Sequence, residues 1–411
     1  MLIPQGYKQT EFGIIPNDWD VTTIGKACYI NPNNGEIPNK FLYIDLESVN
    51  RGILEKKKYI NKKEAPSRAQ RLVKKKDVLF QLVRPYQQNN YFNTKYTVAV
   101  ASTGYAVLRE HLINIDLIYQ IIHTKNFTKQ VLDKCTGTSY PAITSSNFEN
   151  VKFCYPKNYL EQKCIATVLN DTDKLINNLN KLIKKKIAIK QGVMQELLTG
   201  KRRLPGFSGK WVKKRLGDIG FTYTGLSGKN KNDFQQGNAM YIPFLNILNN
   251  PIIDVNDFEI VNINDNEKQN KVLKGDLLFN NSSENPEEVG ICSLLDNTVD
   301  NLYLNSFCFG YRLKDENISG LYLSYYFRSN LGRMLMIKLA QGITRYNLSK
   351  SKFLSSTILL ANTFEEQKAI ASILFDMDKE IKSLENKKIK YEKIKQGMMQ
   401  ELLTGRIRLL D

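Results

Sequence analysis

The chain has 411 residues, which is too long for one small hydrophobic core, so two or more domains are expected. Lysine and arginine number 59 against 41 aspartate and glutamate, and the net charge of +18 favours a polyanionic partner, most commonly nucleic acid. No stretch approaches the length of a bilayer-spanning apolar helix and no secretory signal opens the chain, so we expect a cytoplasmic protein that does not cross a membrane.

Scattered cysteines and only two histidines argue against a metal site. No two of the six cysteines form a C-x-x-C pair, and only His111 and His123 could add imidazole ligands. Free thiols in a reducing compartment are therefore expected. The charge balance leaves one alternative open, which is a merely basic protein from a lysine-rich proteome.

Residues 1–160 are predicted to form a first domain of mixed helix and strand. Short apolar runs with β-branched and aromatic residues predict strands at 41–46, 77–82 and 97–100. One helix is predicted near 115–134. This mixture is typical of the α+β class.

Three segments of this domain suit contact with DNA. A basic segment at 56–76 could bind phosphates, which gives affinity without reading sequence. In the polar loop at 84–90, arginine could bond guanine, and glutamine or asparagine could bond adenine. A turn at 137–140 adds hydroxyl groups. A solvated basic face and plain polar turns are the alternatives. The candidates are Lys57, Lys62, Arg68, Arg71, Lys74, Lys75, Arg84, Tyr86, Gln87, Gln88, Asn89, Thr138, Ser139 and Tyr140.

Residues 161–203 are predicted to form one long connecting helix. Apolar residues recur at helical spacing between Ile165 and Leu197 and form a narrow stripe. A helix of about 40 residues is ~60 Å long, which is too long to lie across one small domain. Gly200 suits its C-terminal cap, and Pro205-Gly206 leads into the next domain.

Residues 204–365 are predicted to form a second domain of the same class. Strands are predicted at 240–245 and 276–279, and one helix near 319–340. Its polar segments carry different side chains from those of the first domain and would therefore read different bases, although plain turns explain them equally well. The candidates are Asn280, Asn281, Ser282, Thr344, Arg345 and Tyr346.

The last predicted helix, at 366–411, repeats the first. Lys190–Gly200 returns with one substitution as Lys395–Gly405, 205 residues later. Trp19 corresponds to Trp211 at a different spacing, so the domains have diverged more than the helices have. Two such helices with matching stripes are predicted to pack as an antiparallel coiled coil with pseudo-twofold symmetry. Two similar domains on one frame suggest recognition of an object in two places.

Catalytic motifs are missing from the sequence. It contains no G-x-x-x-x-G-K-[ST] phosphate loop, no G-x-G-x-x-G turn and no Asn/Asp-Pro-Pro-aromatic loop of amino-methyltransferases. Glu161 and Glu366 recur, but each opens a long helix, where a negative charge suits the helix N-terminus. We therefore expect a non-catalytic protein without a cofactor of its own.

Several duplicated motifs resemble one known family over essentially the whole chain. They are the opening segment at 6–19, the run at 101–109, both Glu-Gln-Lys-x-Ile-Ala segments and both Met-Gln-Glu-Leu-Leu-Thr-Gly helix ends. Together and in order, they are similar to the specificity (S) subunits of type I restriction-modification enzymes. The second domain departs from the pattern at Asn305–Phe309, which replaces the Ser-Thr-Gly-Tyr run.

The resemblance implies two target-recognition domains, each reading one half of a split site in double-stranded DNA. The long helices would separate the domains and dock two methyltransferase subunits, which would bring S-adenosylmethionine. Restriction subunits would add ATP-driven translocation and cleavage. The apolar helix ends are the expected docking positions, namely Met194, Leu197, Leu198, Met399, Leu402 and Leu403.

Two alternatives of other classes stay open at this point. The first is a bifunctional DNA-modifying enzyme with an unrecognised catalytic site, which would transfer methyl groups without partners. The second is a basic coiled-coil adaptor, which would prefer RNA to duplex DNA.

Overall fold

The computed structural model describes residues 3–32, 35–264 and 266–410, which form two compact units. The first unit comprises Met1–Asn180 and Asn386–Asp411, and the second comprises Lys181–Glu385. Each unit therefore contains one mixed helix-and-sheet body and a segment of both long helices. The mixture confirms the predicted α+β class.

Two four-stranded sheets form most of the first unit. One is antiparallel, in the order Tyr91–Phe92, Val78–Gln81, Tyr105–Glu110, Cys28–Ile30. The other has one parallel pair at its centre, in the order Lys58–Asn61, Lys40–Ile44, Val98–Ser102, Ala69–Lys74. The predicted strands are found with ends shifted by at most two residues. Three smaller strand pairs are Tyr7–Thr10 with Gly13–Pro16, Trp19–Thr23 with Lys152–Pro156, and Val49–Asn50 with Ile53–Leu54.

The single helix predicted near 115–134 is wrong, because two helices, Ile115–Ile121 and Lys125–Asp133, occupy this stretch. The second begins after Thr124, whose hydroxyl accepts a hydrogen bond from the Phe127 N–H and so satisfies a free donor of the new helix. The remaining helices of the first unit are Ile24–Ala27 and Ser145–Glu149, with 3-10 turns at Lys62–Glu64 and Pro85–Gln87.

The second unit repeats the antiparallel sheet. Its strand order is Gly220–Thr224, Cys308–Leu313, Leu277–Asn280, Cys292–Leu294. The strand predicted at 240–245 ends at Ile242, because Pro243 precedes a helix, Phe244–Asn249. Other strands form a sheet of Glu259–Val261, Phe234–Ile242 and Leu302–Leu304, a sheet of Ser282–Ser283, Tyr346–Leu348 and Ala340–Gln341, and the pair Val212–Arg215 with Thr357–Leu360.

The helix predicted near 319–340 is also two helices, Gly320–Arg328 and Asn330–Leu339. They meet at Ser329, whose hydroxyl accepts a hydrogen bond from the Gly332 N–H and starts the second helix. The remaining helices of this unit are Leu216–Ile219 and Lys350–Ser355, with a 3-10 turn at Lys231–Asp233.

Stacked phenylalanines mark the same point in the core of each unit. Phe80 and Phe148 stack with ring centroids 4.3 Å apart in the first unit. Phe279 takes the place of Phe80 in the second unit and stacks on Phe309 at 5.1 Å. All four rings are buried, so each antiparallel sheet is anchored by aromatic packing.

The two long helices extend over Tyr159–Leu197 and Phe364–Leu402, each with 39 residues. Inside the first unit they pack in opposite directions, and Lys395 donates to Asp173 at 2.7 Å. The same ion pair recurs inside the second unit between Lys190 and Asp378. Antiparallel packing is thus present within each unit, and one coiled coil along the whole helices stays a prediction. None of the described helices has the length and apolar character needed to cross a bilayer.

A further ion pair in each unit lies near the N-terminal end of the long helix that begins there. Glu161 is fully buried, and its carboxylate accepts hydrogen bonds from Arg408 at 2.5 and 2.8 Å. Arg408 also donates to Asp18 at 2.6 Å. In the second unit, Arg203 bonds buried Glu366 at 2.6 and 2.8 Å. Both glutamates therefore do more than complement a helix N-terminus, since each holds the chain that follows the other helix.

We predict that Arg408→Met destabilises the first unit by ~3–5 kcal/mol, because it leaves the buried Glu161 carboxylate without its cation. Adding Glu161→Gln should recover most of the loss. The measurement is the free energy of unfolding from denaturant titration. Arg406→Met is the matched control, since Arg406 is exposed and lies 3.7 Å from Glu401. Equal effects of the two arginine substitutions would contradict the prediction.

Candidate nucleic-acid interface

The polar loop of the first unit has a fixed backbone. Arg84 and Gln88 adopt left-handed conformations, with φ of 54° and 52°, on either side of the turn Pro85–Gln87. The Arg84 N–H donates to the carbonyl of Pro141 at 2.7 Å, so the loop is joined to the end of the turn at 137–140. The structure therefore brings together two of the three predicted segments.

A buried side-chain amide at the end of the preceding strand, Val78–Gln81, forms hydrogen bonds that hold this loop in place. Gln81 is 1% exposed, and its Nε2 donates to Gln87 Oε1 at 2.9 Å. Its Oε1 accepts a hydrogen bond from the Asn89 N–H at 3.0 Å. Asn90 Oδ1 accepts one from the Gln81 N–H at 2.9 Å. Gln81 is not among the predicted residues, although a polar residue that ends an otherwise apolar strand is the signal that could have identified it.

A neutral histidine supports the same loop. His123 is half-buried, and desolvation lowers its pKa to about 4, so the imidazole is uncharged at neutral pH. Its Nδ1 lies 2.6 Å from the Tyr119 carbonyl and must carry the proton there, which leaves Nε2 to accept from Asn90 Nδ2 at 3.3 Å. His123 is thus a structural partner of the loop.

Three of the candidate base-contacting side chains of the loop form hydrogen bonds within the protein. Gln88 Nε2 donates to Thr128 Oγ1 at 2.8 Å, and Asn89 Oδ1 accepts from the Arg51 N–H at 3.0 Å. Gln87 is held by Gln81, whereas Tyr86 is 52% exposed. These contacts fix the loop side chains in one orientation, as a preorganised interface requires.

Arg84 stacks on an exposed tyrosine at this surface. Its guanidinium carbon lies 4.3 Å from the ring centroid of Tyr140, and Tyr140 is 65% exposed. Gly137, with φ of 89°, allows the turn that presents Tyr140. Thr138 and Ser139 of that turn are exposed as well. The predicted residues of the two loops therefore form one continuous surface.

The basic segment does not form a single patch. It supplies both edges of one four-stranded sheet, Lys58–Asn61 at one edge and Ala69–Lys74 at the other. Three strand spacings separate the edges by ~14 Å. Lys56 and Lys58 pair with Glu47 and Asp45. Arg71 is half-buried, and the predicted residues that remain exposed are Lys57, Lys62, Arg68, Lys74 and Lys75.

In the second unit, two predicted base readers prove to be buried and structural. Asn280 is fully buried, its Nδ2 donates to the Glu288 carbonyl at 2.6 Å, and its Oδ1 accepts from the Ile291 N–H at 2.5 Å. It is the counterpart of Gln81. Ser282 is 7% exposed and accepts a hydrogen bond from Arg345. Both predictions are wrong because polarity alone does not reveal burial. Asn281 is half-buried.

Arg345 forms the exposed cation of this second surface. Its Nε donates to Ser282 Oγ at 2.9 Å, and its guanidinium lies 5.1 Å from the ring centroid of Phe307, which is 51% exposed. Thr344 beside it is exposed, and Tyr346 is half-buried in a strand. Any Cβ at Gly342 would lie 2.0 Å from the Arg345 carbonyl, so this turn requires glycine. Phe307 is not among the predicted residues.

The predicted docking side chains at the helix ends are mostly internal. Leu402 and Leu403 belong to the core of the first unit, together with Trp19. Met194, Leu197 and Leu198 belong to the core of the second. The prediction of docking through these five is wrong, because each stripe packs on its own chain. Met399 is only partly buried and borders a groove of about 380 Å³ in the first unit.

Metal-ligating side chains do not cluster within the described residues, where no group of three or more His, Cys, Asp or Glu side chains could hold an ion. What the two surfaces offer is hydrogen-bonding amides, hydroxyls and stacked arginines. Such groups suit recognition of an anionic partner.

Comparisons with known proteins agree with this chemistry. The model of the type I restriction modification DNA specificity domain matches twice, at residues 16–190 and 208–393. The MjaVIII type I restriction enzyme specificity subunit of Methanocaldococcus jannaschii is 27% identical, with 100% of this chain and 99% of that protein covered. The putative MjaX specificity subunit of the same organism is 24% identical, with 98% and 97% covered.

Two solved structures share the fold. A chain from a structure of a type I R-M system has a TM-score of 0.56 and 18% identity, with 96% of this chain and 99% of that chain covered. The S subunit of a type I restriction-modification system from M. genitalium has a TM-score of 0.61 and 14% identity, with 93% and 96% covered.

We predict that Asn280→Leu loosens the loop at 281–291. The substitution keeps the branched shape of the side chain but removes both side-chain hydrogen bonds of Asn280, so the Ile291 N–H and the Glu288 carbonyl are left with their longer mutual bond at 3.4 Å. The loss should cost ~1–2 kcal/mol of unfolding free energy. Hydrogen exchange of this loop should accelerate. Asn270→Leu is the control, because Asn270 also bonds a backbone carbonyl, that of Thr224, but from an exposed position. Unchanged exchange in the Asn280 variant would refute the supporting role.

Proposed function

The chain belongs to the family of type I restriction-modification DNA specificity proteins, and we propose that each of its two units reads one half of a split target in duplex DNA. The observation that carries the proposal is the double match of the specificity domain together with the divergence of the two polar surfaces. Residues 1–160 and 204–365 would be the recognition domains. Residues 161–203 and 366–411 would be the helices that connect them.

The loop chemistry supports different half-sites. The first unit offers Arg84, Gln88 and Asn89, whereas the equivalent loop of the second unit has asparagine and serine and relies on Arg345 from another loop. Arginine and amide side chains bond different base edges in the major groove. Exposed lysines at the sheet edges would bind phosphates in the first unit.

We predict that the host genome carries a split methylated motif that disappears when this chain is deleted. Gln88→Ala combined with Asn89→Ala should relax positions in one half of the motif and leave the other half intact, since the two surfaces belong to separate units. Methylation-sensitive sequencing provides the measurement. Relaxation in both halves, or none in either, would contradict the assignment.

Methyltransferase subunits would dock on the repeated helix ends. Gln191, Gly192 and Gln195 are exposed and are identical to Gln396, Gly397 and Gln400, which are also exposed. Other exposed helix positions are only partly repeated: Lys163 and Lys368 are identical, whereas Lys184 corresponds to Ile389. Core packing does not require identity at exposed positions. Two copies of the same partner surface would require it.

The repeated glycine strengthens this assignment. Gly192 and Gly397 lie inside the long helices, where glycine costs ~1 kcal/mol relative to alanine. Nothing lies within 4 Å of a Cβ built at either position, so the chain itself does not need glycine there. Close approach of a partner does explain it. Two methyltransferase subunits would bring S-adenosylmethionine, and restriction subunits would bring ATP-driven cleavage.

We predict opposite effects of Gly192→Ala and Gly397→Ala on stability and on partner binding. Each should stabilise the free chain by ~1 kcal/mol, because alanine favours helix. Each should weaken the binding of one methyltransferase subunit, and the double variant should lose both. Native mass spectrometry of the co-purified complex gives the stoichiometry. Lys184→Ala is the control at an exposed, non-repeated position, and full stoichiometry in the double variant would exclude these glycines from docking.

A further inference from the structure

Three arginines of the described chain stack on aromatic rings, but their partners differ. Arg312 lies 5.1 Å from the Tyr223 ring centroid and is also bonded to Asp276 at 2.7 Å, so its charge is neutralised internally. Arg84 and Arg345 form no ion pair with a carboxylate anywhere in residues 3–32, 35–264 and 266–410. Their guanidinium groups retain donors for an external acceptor.

Arg84 is oriented by its surroundings rather than by a salt bridge. Its backbone is fixed by the hydrogen bond to Pro141, and its guanidinium carbon lies over the ring of Tyr140. Stacking on a ring leaves the N–H groups at the edge of the plane. Such an edge suits an acceptor pair that lies in the same plane.

Arg345 is oriented in the same manner by other residues. Its Nε donates to Ser282 Oγ, and its guanidinium carbon lies over the ring of Phe307. The two Nη groups form no ion pair within the described residues and remain available to an external acceptor. Tyr140 and Arg345 hold equivalent places in the repeat, 205 residues apart, so the repeated turn supplies the ring of one pair and the arginine of the other.

We propose that Arg84 and Arg345 each bond one guanine of the target through its O6 and N7 atoms. This inference rests on the proposed split-target function and adds a fixed guanine to each half-site. Bidentate bonding to O6 and N7 is the contact that a planar arginine edge makes in the major groove. A phosphate offers the same donors a pair of oxygens, so the test must separate the base from the backbone.

The test uses the full-length chain in its co-purified complex and duplexes that carry the mapped motif. Each guanine in turn is replaced by 7-deazaguanine, which lacks N7 but leaves the phosphate unchanged. For the native protein, one replacement in each half should weaken binding roughly tenfold. Arg84→Gln should remove the sensitivity in one half only, and Arg345→Gln in the other half only.

Variants of the stacked rings provide the control. Tyr140→Phe keeps the ring and should bind like the native protein, whereas Tyr140→Ala and Phe307→Ala should reduce the discrimination between guanine and 7-deazaguanine. Both rings are largely exposed, so folding should be preserved.

Other outcomes overturn the inference in distinguishable ways. If Arg84→Gln and Arg345→Gln weaken binding to all duplexes equally, the arginines bind phosphate, and the guanine assignment fails while the split-target function stands. A half-site without guanine has the same consequence. If the native complex shows no sequence preference, the proposed function fails together with the inference.

Discussion

The antiparallel pairing of the long helices inside each unit is the constraint on which the rest of the structure depends. Each unit takes a segment of both helices, and buried carboxylates at Glu161 and Glu366 hold the chain that follows the opposite helix. A buried carboxylate is tolerated only with a cation, so Arg408 and Arg203 fix the register of each pair. Amino-acid substitutions elsewhere in a unit can accumulate because the register of the helix pair does not depend on them.

The next layer of constraint is a buried amide below each variable loop. Gln81 and Asn280 occupy the ends of equivalent strands and satisfy backbone groups of the loops that follow. The loops differ in length and in side chains, yet each is held from within the sheet. Buried polar groups with satisfied hydrogen bonds specify one conformation. The surface side chains can therefore change while their positions stay defined.

The two long helices were predictable from the sequence, whereas the candidate nucleic-acid interface was predictable only in part. The near-identical segments at Lys190–Gly200 and Lys395–Gly405 and the helical spacing before them define the long helices without coordinates. The separate short helices were missed, because Thr124 and Ser329 act as caps inside runs that otherwise have helical character. An apolar stripe shows that something packs on it, but not whether a partner or the same chain does. Docking was therefore predicted for Leu402 and Leu403, which in fact pack within their own unit.

The same limit explains why some candidate base-contacting residues are buried and others are exposed. Asn280 and Arg345 are both polar residues in loop-like sequence, but one is fully buried and the other exposed. The difference arises from strand pairing, since Asn280 lies opposite Cys308 inside a sheet. Arg345 reaches the surface because Gly342 permits a turn that no other residue would allow. The stacked arginines come from different loops in the two units, although the repeated turn contributes Tyr140 to one pair and Arg345 to the other. An arginine–ring pair that persists while the residue at this turn changes from a ring to an arginine is better explained by the chemistry of what it binds than by common descent of the pair.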